Sequence, residues 1–264
     1  MAFQDILYDK RDGTATIMIN RPKVLNAFRA ETVEEMLAAM RDAEDDEAIG
    51  VIVLAGAGDR AFCSGGDNSA RAGGSAGGKG YGGRGLVGLP IEELHDAIRN
   101  SRKPVIAKVQ GYAIGGGNVL ATVCDLTIAS ENAVFGQVGP RVGSVDPGWG
   151  TAFLARHVGD KRAREIWFLC RRYSAAEAFQ MGLVNKVVPA DQLDAEVESW
   201  CGEILALSPT AIAIAKRSFN ADSENIKGIG ALGLEALALY YNTDEAKEGT
   251  NAFLEKRRPD FRRR

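Results

Sequence analysis

The stretch Ala107-Lys-Val-Gln-Gly-Tyr-Ala-Ile-Gly-Gly-Gly-Asn118 joins a mostly apolar run to three glycines that open a helix of small, apolar residues. Glycine lets a ligand approach the main chain closely. The first turn of a helix has unpaired N–H donors and carries the positive end of the helix dipole. We therefore predict an anion-binding corner at this strand-to-helix turn.

A second corner of the same kind lies upstream, where Val51-Ile-Val-Leu-Ala-Gly-Ala-Gly58 leads to Phe62-Cys-Ser-Gly-Gly-Asp67. Either segment alone is also explained by a glycine turn after a buried strand. Two corners that face each other would supply the converging backbone N–H groups of an oxyanion hole. The pair therefore predicts a site for an oxygen that gains negative charge.

Strands alternate with helices around these corners, which indicates an α/β core rich in parallel strands. The predicted elements are a hairpin about Asp12-Gly13 with strands 6–10 and 14–19, helices at 31–45, 91–100 and from 116, and strands at 50–55, 104–109 and 125–130.

From Trp149 onward the strand pattern fades, and the chain is predicted to be helical. We divide it into a core of residues 1–200 and a C-terminal α-helical subdomain of residues 201–264. The predicted helices cover 151–158, 161–170, 174–181, 191–207, 209–220 and 229–241.

The chain has 264 residues, of which 45% are hydrophobic, with a formal net charge of −3 and a pI near 5.6. These values predict a globular protein and argue against a nucleic-acid partner, although the segment from Lys256 to Arg264 is locally basic. The N-terminal residues have no signal-peptide pattern, and no apolar run reaches membrane-spanning length. We expect a cytoplasmic protein without a membrane partner.

The cysteines and histidines are few and widely spaced, so we predict reduced thiols and no metal site. A Ser-His-Asp triad is also disfavoured because the sequence has no GxSxG motif. The residues concerned are Cys63, Cys124, Cys170, Cys201, His95 and His157.

The segment Asn68–Pro90 is crowded with glycine and has one aromatic residue, Tyr81. It is interpreted either as a surface loop or as a lid that brings Tyr81 over a substrate beside Gly66 and Asp67. A second glycine-rich segment, Phe135–Gly150, carries Gln137, Ser144 and Asp146. Ser144 and Asp146 either cap the helix that follows or serve a site.

Four motifs resemble the crotonase (enoyl-CoA hydratase/isomerase) superfamily in order and spacing. They are Asn20-Arg-Pro-Lys-Val-Leu-Asn-Ala-Phe28, Ala61-Phe-Cys-Ser-Gly-Gly-Asp67, Gly111-Tyr-Ala-Ile-Gly-Gly-Gly117 and Cys124-Asp-Leu-Thr-Ile-Ala129. The resemblance implies a ClpP/crotonase-like α/β fold, a spiral of repeated ββα units with a helical trimerisation subdomain. It also implies that a coenzyme A thioester is held between the N–H groups of Gly66 and Gly116.

Two positions argue against hydration of an enoyl thioester. Family hydratases have one glutamate just after the triple glycine and another after the FGQ motif, where this chain has Val119 and Gly139. Neither side chain can move a proton. A double-bond isomerase that needs an acid at the second position is disfavoured for the same reason.

The remaining resemblance is to two groups that act on β-keto thioesters. The 2-ketocyclohexanecarboxyl-CoA hydrolases of anaerobic benzoate degradation open a ring, and the 1,4-dihydroxy-2-naphthoyl-CoA synthases of menaquinone biosynthesis close one. Asn118, Ser144-Val-Asp-Pro-Gly148, Leu86-Val-Gly-Leu-Pro90 and Ala213-Ile-Ala-Lys-Arg-Ser-Phe219 resemble the hydrolases. The alternative from another class is a non-catalytic protein of the same fold that acts as a binding or RNA-associated module.

For the hydrolase chemistry the resemblance favours Asp146 as the base. Ser144 and Tyr241 would bind the ketone or relay a proton, and Tyr81 would close the lid. Tyr241 is equally explained as a helix aromatic packed in a subunit contact.

The resemblance also implies contacts with coenzyme A and an assembly of subunits, a trimer or a dimer of trimers. In related synthases bicarbonate lies beside Gln and Trp; Gln137 and Trp167 match, but Val138 replaces the synthase threonine, so a bicarbonate requirement is disfavoured. The expected substrate-binding residues are Lys23, Val24, Leu25, Ala27, Ser64, Gly65, Asp67, Tyr112, Ile114, Gln137, Gly139, Phe253 and Lys256.

Overall fold

The computed structural model describes residues 3–74 and 80–262 and contains two β-sheets with helices packed around them. The strands are β1 (Ile6–Arg11), β2 (Thr14–Ile19), β3 (Val51–Gly56), β4 (Ala61–Cys63), β5 (Val105–Val109), β6 (Tyr112–Ile114), β7 (Leu126–Ser130), β8 (Val134–Gly136), β9 (Arg172–Ser174) and β10 (Lys186–Val188).

Helices follow most of these strands, and they accumulate toward the C-terminus. They are α1 (Ala30–Asp45), α2 (Asn68–Gly74), α3 (Ile91–Asn100), α4 (Gly116–Val123), α5 (Gly139–Val142), α6 (Leu154–Val158), α7 (Asp160–Leu169), α8 (Ala175–Gln180), α9 (Leu193–Leu205), α10 (Pro209–Ala221), α11 (Asn225–Tyr240) and α12 (Asp244–Leu254).

The larger sheet has the order β1-β2-β3-β5-β7-β10, and the smaller sheet has the order β4-β6-β8-β9. Only the β1–β2 hairpin and the β8–β9 pair are antiparallel among the described strands. The predicted α/β fold with a helical C-terminal region is therefore confirmed.

Strand β3 shows why the larger sheet is buried on both faces. Its residues Val51 to Ala55 are all buried, and alternate side chains belong to different clusters. Val51 and Val53 pack with Val197 of α9, whereas Ile52 and Leu54 belong to the main core. Such a continuous apolar run is typical of a parallel strand covered by helices on both sides.

Two sequence-based expectations are corrected. The region after Trp149 is not purely helical, because β9 and β10 extend the two sheets. The segment Asn68–Pro90 is not simply a surface loop, since it begins with α2 and returns to the core through the buried Val87 and Leu89. Residues 75–79 of that segment lie outside the described part.

The predicted division at residue 200 stays a prediction, and the position lies inside α9. A buried lysine also joins the C-terminal helices to the core. Lys216 of α10 donates from Nζ to the carbonyl oxygens of Ile98 and Lys103, both at 2.9 Å, and to Asp125 Oδ2 at 2.6 Å.

The four cysteines are free and buried. Within the described ranges, no group of three or more histidine, cysteine or acidic side chains is arranged to hold a metal ion. Nor does any helix of residues 3–74 and 80–262 combine the length and apolarity that crossing a membrane requires.

Candidate active site

The first predicted corner surrounds Gly66. The N–H of Phe28 donates to Gly65 O at 2.9 Å, and the N–H of Asp67 donates to Phe28 O at 2.8 Å. Successive residues of an extended chain present their backbone groups to opposite sides. The N–H of Gly66 therefore faces away from Phe28.

The second corner is the start of α4. The N–H of Gly115 donates to Gly136 O at 2.9 Å, and α4 begins at Gly116. The first-turn N–H groups of a helix have no acceptor within the helix. A Cβ on Gly65 would lie 2.9 Å from the nitrogen of Gly116, so the two corners are in contact.

Glycine is required for this close approach. A Cβ on Gly117 would collide with the carbonyl oxygen of Cys63, and one on Gly116 would lie 2.6 Å from Phe28 Cζ. Gly65 and Gly115 also have φ values of 92° and 58°, which glycine adopts without strain. Gly66 and Gly116 line one cavity of about 90 Å³.

Asp146 provides the carboxylate of this cavity, the only one among its lining residues in the described part of the chain. Burial raises the pKa of Asp146 to about 7, although the N–H of Gly150, donating to Oδ1 at 3.1 Å, opposes the rise. The negative charge of Glu92 adds to the increase. A carboxyl with a pKa near neutrality can accept a proton at neutral pH.

Ser144, Tyr241 and Tyr81 bring hydroxyl groups to the same cavity as Asp146. Ser144 Oγ and Tyr241 Oη lie 2.8 Å apart. Burial and the neighbouring Tyr241 hydroxyl raise the pKa of Tyr81, so its phenol stays protonated and can donate. The Tyr81 hydroxyl lies directly over Gly66, where an added Cβ would collide with it.

Arg71 is a cavity residue that the sequence analysis did not single out. It is buried on α2 and lines the cavity. Its guanidinium donates to Val142 O and Thr250 Oγ1, both at 2.6 Å, and lies 5.0 Å from the centre of the Tyr241 ring. Sequence spacing gave no signal for these contacts, because they join distant segments.

Gln137 is 1% exposed and also lines the cavity, as does Trp167. Trp167 Nε1 donates to Gly150 O at 2.5 Å. Neither the oxygen nor the nitrogen of the Gln137 amide has a hydrogen-bond partner among the described residues.

The predicted coenzyme A residues form two groups. Ser64, Gly65, Gln137 and Gly139 line the cavity, and other residues adjoin them through backbone and ion-pair contacts. Ser64 donates from its N–H to Leu25 O at 3.1 Å and from Oγ to Val24 O at 3.4 Å. Arg21 donates from Nη1 to Ala27 O at 2.5 Å, and its Nη2 contacts Asp67 Oδ2 at 3.1 Å. Lys23 lies in the short turn Pro22–Val24.

The other group lies outside this cavity. Tyr112 and Ile114 belong to β6 and are not among its lining residues. Phe253 and Lys256 line a different groove with Arg141.

The chain belongs to the enoyl-CoA hydratase/isomerase family, also called the crotonase superfamily, whose members process acyl-CoA. The match covers residues 9–264, so the resemblance read from the motifs is confirmed at the level of the family.

Solved structures of the same fold cover nearly the whole chain. An enoyl-CoA hydratase from Mycobacterium avium subspecies paratuberculosis has 31% identity and a TM-score of 0.87 over 99% of this chain and 100% of its own. A carnitinyl-CoA hydratase from Mycobacterium avium has 28% identity and a TM-score of 0.84, with full coverage of both chains. An enoyl-CoA hydratase subunit from Geobacillus kaustophilus has 33% identity and a TM-score of 0.75, with 98% of each chain covered.

Proposed function

We propose that the protein is a hydrolase that opens the ring of a cyclic β-keto acyl-CoA, with 2-ketocyclohexanecarboxyl-CoA as substrate and pimeloyl-CoA as product. The proposal rests on the position of the acidic side chain of Asp146. Asp146 lines the cavity, whereas the positions of the two hydratase glutamates have Val119, which is fully buried, and Gly139. This arrangement supports proton removal by one base and disfavours hydration by a glutamate pair.

In the proposed reaction, Asp146 takes a proton from water, and the resulting hydroxide bonds to the ring ketone carbon. The bond between that carbon and the α carbon then breaks, and its electron pair forms a thioester enolate. The N–H groups of Gly66 and Gly116 stabilise the enolate oxygen. Protonation of the α carbon yields the open-chain thioester, and the former ketone carbon becomes a carboxylate.

Ser144 and Tyr241 are assigned to the ketone oxygen, because their hydroxyl groups are hydrogen-bonded to each other within the cavity. Tyr81 is assigned to closing the cavity over the thioester. Its hydroxyl lies over Gly66, which supports that role. We propose no bicarbonate requirement, since Val138 offers no hydroxyl to hold the ion.

Coenzyme A is proposed to extend past Ser64 and Leu25 toward Lys23, and Phe253 and Lys256 are proposed to complete the site of a neighbouring subunit in a trimer or a dimer of trimers. Large apolar side chains on the C-terminal helices support an assembly. Phe219, Leu232 and Leu239 are 80%, 75% and 73% exposed. A cytoplasmic location stays part of the proposal.

The test is to incubate the protein with 2-ketocyclohexanecarboxyl-CoA and to follow pimeloyl-CoA by mass spectrometry. We expect Asp146→Asn to lower kcat by at least about 100-fold, because it removes the general base. Asp244→Asn, at an exposed position on α12, is the matched control and retains full turnover.

Two results would contradict the proposal. Formation of dihydroxynaphthoyl-CoA from o-succinylbenzoyl-CoA, with no ring opening, would assign the protein to the synthases instead. Binding of acyl-CoA without turnover of either substrate would assign it to the non-catalytic members of the fold.

A further inference from the structure

The amide of Gln137 is the least satisfied polar group of the cavity. It is 1% exposed, and its oxygen and nitrogen both lack a hydrogen-bond partner among the described residues. Buried polar groups of folded proteins almost always have a partner, which is often an ordered water. The unpaired amide therefore indicates that a small polar molecule binds beside it.

The cavity has the size and the polarity to hold that molecule. Its volume of about 90 Å³ exceeds the 10–15 Å³ or so that one water needs. Gln137 offers both a donor and an acceptor, and Asp146 and Ser144 line the same space. Groups of this kind supply the two to four polar partners that buried waters normally have.

Gly139 packs tightly against two other residues of the cavity wall. A Cβ at that position would lie 2.8 Å from Trp167 Cζ3 and would also collide with the carbonyl oxygen of Ser144. A larger side chain therefore has no room at position 139 without movement of the loop. Trp167 Nε1 already donates to Gly150 O, so it is not free to bind a water. The amide of Gln137 is available for that role.

We propose that the Gln137 amide binds and orients the water that attacks the ring ketone, a role that rests on the proposed ring-opening function. The amide oxygen accepts one hydrogen of the water, and Asp146 removes the other proton. The water oxygen bonds to the ketone carbon, and the bond from that carbon to the α carbon then breaks, which leaves its electron pair in the enolate. One water is consumed for each ring opened, and no other reactant is needed.

The experiment separates water attack from enolate chemistry. Ring opening of 2-ketocyclohexanecarboxyl-CoA needs the attacking water, whereas exchange of the α hydrogens of pimeloyl-CoA in D₂O needs only the oxyanion corners and a proton carrier. We expect Gln137→Met, which keeps the length of the side chain, to lower kcat for ring opening by at least about 100-fold. The exchange rate and KM stay within about three-fold of wild type.

Gln180→Met, at an exposed position near the end of α8, is the matched control and leaves both reactions unchanged. A parallel loss of ring opening and exchange in Gln137→Met would overturn the inference in favour of a structural role. Unchanged ring opening in that variant would also overturn it.

The effect of bicarbonate on turnover distinguishes a bound water from a bound bicarbonate at the Gln137 amide. Wild-type turnover in carbonate-free buffer is expected to equal turnover with added bicarbonate. A strict requirement for the ion would assign the Gln137 amide to bicarbonate and overturn the water assignment. Absence of ring opening by the wild-type protein would overturn the proposed function itself, and this inference with it.

Discussion

Asp146 lies in surroundings that oppose its ionisation. Its carboxylate is removed from most solvent, one backbone N–H donates to it, and Glu92 contributes a second negative charge. The folded protein therefore binds a proton at Asp146 more tightly than the unfolded chain does, whose Asp pKa is about 3.9. The same residue that is suited to proton transfer near neutral pH thus reduces stability there.

The pH dependence of stability follows from this shift. Between the unfolded pKa and the folded pKa of about 7, the folded state binds more protons at Asp146, so its contribution to stability falls as pH rises. Asp146→Asn removes the titration. The variant is expected to gain about 2 kcal/mol over wild type between pH 5 and pH 8, measured as the free energy of unfolding in urea.

A difference between the two proteins that does not change with pH would contradict this environment for Asp146. Glu92 and the other titrating groups are present in both chains, so their contributions cancel in the comparison. In the Asp146→Asn variant the side-chain amide oxygen can still accept the hydrogen bond from Gly150, which keeps the loop geometry comparable.

At the residue scale, the sequence predicted features that depend only on residues close together in the chain. The two glycine corners were predicted from the local sequence, whereas the choice of Gly66, Gly116 and Asp146 came from the resemblance to a family, and their roles stay predictions. Arg71 was missed because its role comes from Val142 and Thr250, which are distant in sequence. Nothing in the sequence around Arg71 distinguishes it from an arginine on the surface.

At the scale of the elements, helix α4 is held closely against its neighbour β4. Its first turn packs on β4 so closely that Gly117 is in contact with the carbonyl of Cys63. This packing places Gly116, in the first turn, on the wall of the cavity. The stability of the fold and the position of the glycines at the start of α4 therefore depend on the same contact.

Substitution of this glycine tests the dependence. Gly117→Ala is expected to destabilise the protein by about 3 kcal/mol or more, because the methyl group forces β4 and α4 apart. Gly202→Ala is the matched control, since Gly202 also lies in a helix and a Cβ there meets nothing within 4 Å. It is expected to stabilise the protein by about 0.5–1 kcal/mol.

Thermal and urea unfolding of the two variants provide the measurement. Equal stability of Gly117→Ala and Gly202→Ala would show that α4 can move away from β4 at little cost.

The length of an element decided whether the sequence could predict it. The strands β1, β2, β3, β5 and β7 have five or six residues each and were predicted within a residue or two. The strands β4, β6, β8, β9 and β10 have three residues each, which is too short to show a period. Their pairing in the sheets is decided by tertiary contacts.

At the scale of the whole molecule, Lys216 connects the C-terminal helices to the core. Its ammonium group donates to two carbonyl oxygens and to Asp125, which also accepts from the N–H of Val105 at 2.7 Å. The arrangement joins α10, the loop after α3, and β5. A charge buried in this way is tolerated because each of its donors has an acceptor.

Removing the charge of Lys216 is expected to destabilise the folded protein. Lys216→Met leaves the Asp125 carboxylate without its cation and should lower the free energy of unfolding by about 3 kcal/mol. Lys247→Met is the matched control; its pair with Asp244 at 3.6 Å is exposed, so the change stays within about 0.5 kcal/mol. Equal effects of the two substitutions in urea unfolding would contradict the role of Lys216.

The assembly of the elements was predicted only through the resemblance to a family. Alternation of strands and helices indicated a parallel sheet, but it did not indicate that the chain builds a second sheet or that α9 covers the first one. Those features depend on packing between segments more than 100 residues apart, such as Val53 and Val197. The periodicity of a segment depends only on its own residues, so it cannot predict such pairs.

Because all four cysteines are buried, their reaction with a thiol reagent can report on local unfolding of the protein. Cys63 lies against Gly117 at the start of α4, Cys124 follows the end of α4, Cys170 follows α7, and Cys201 lies within α9. Alkylating reagents reach such thiols only through fluctuations that expose them. The order in which the four sites become labelled would rank the regions of the molecule by how readily each one opens, without any added probe.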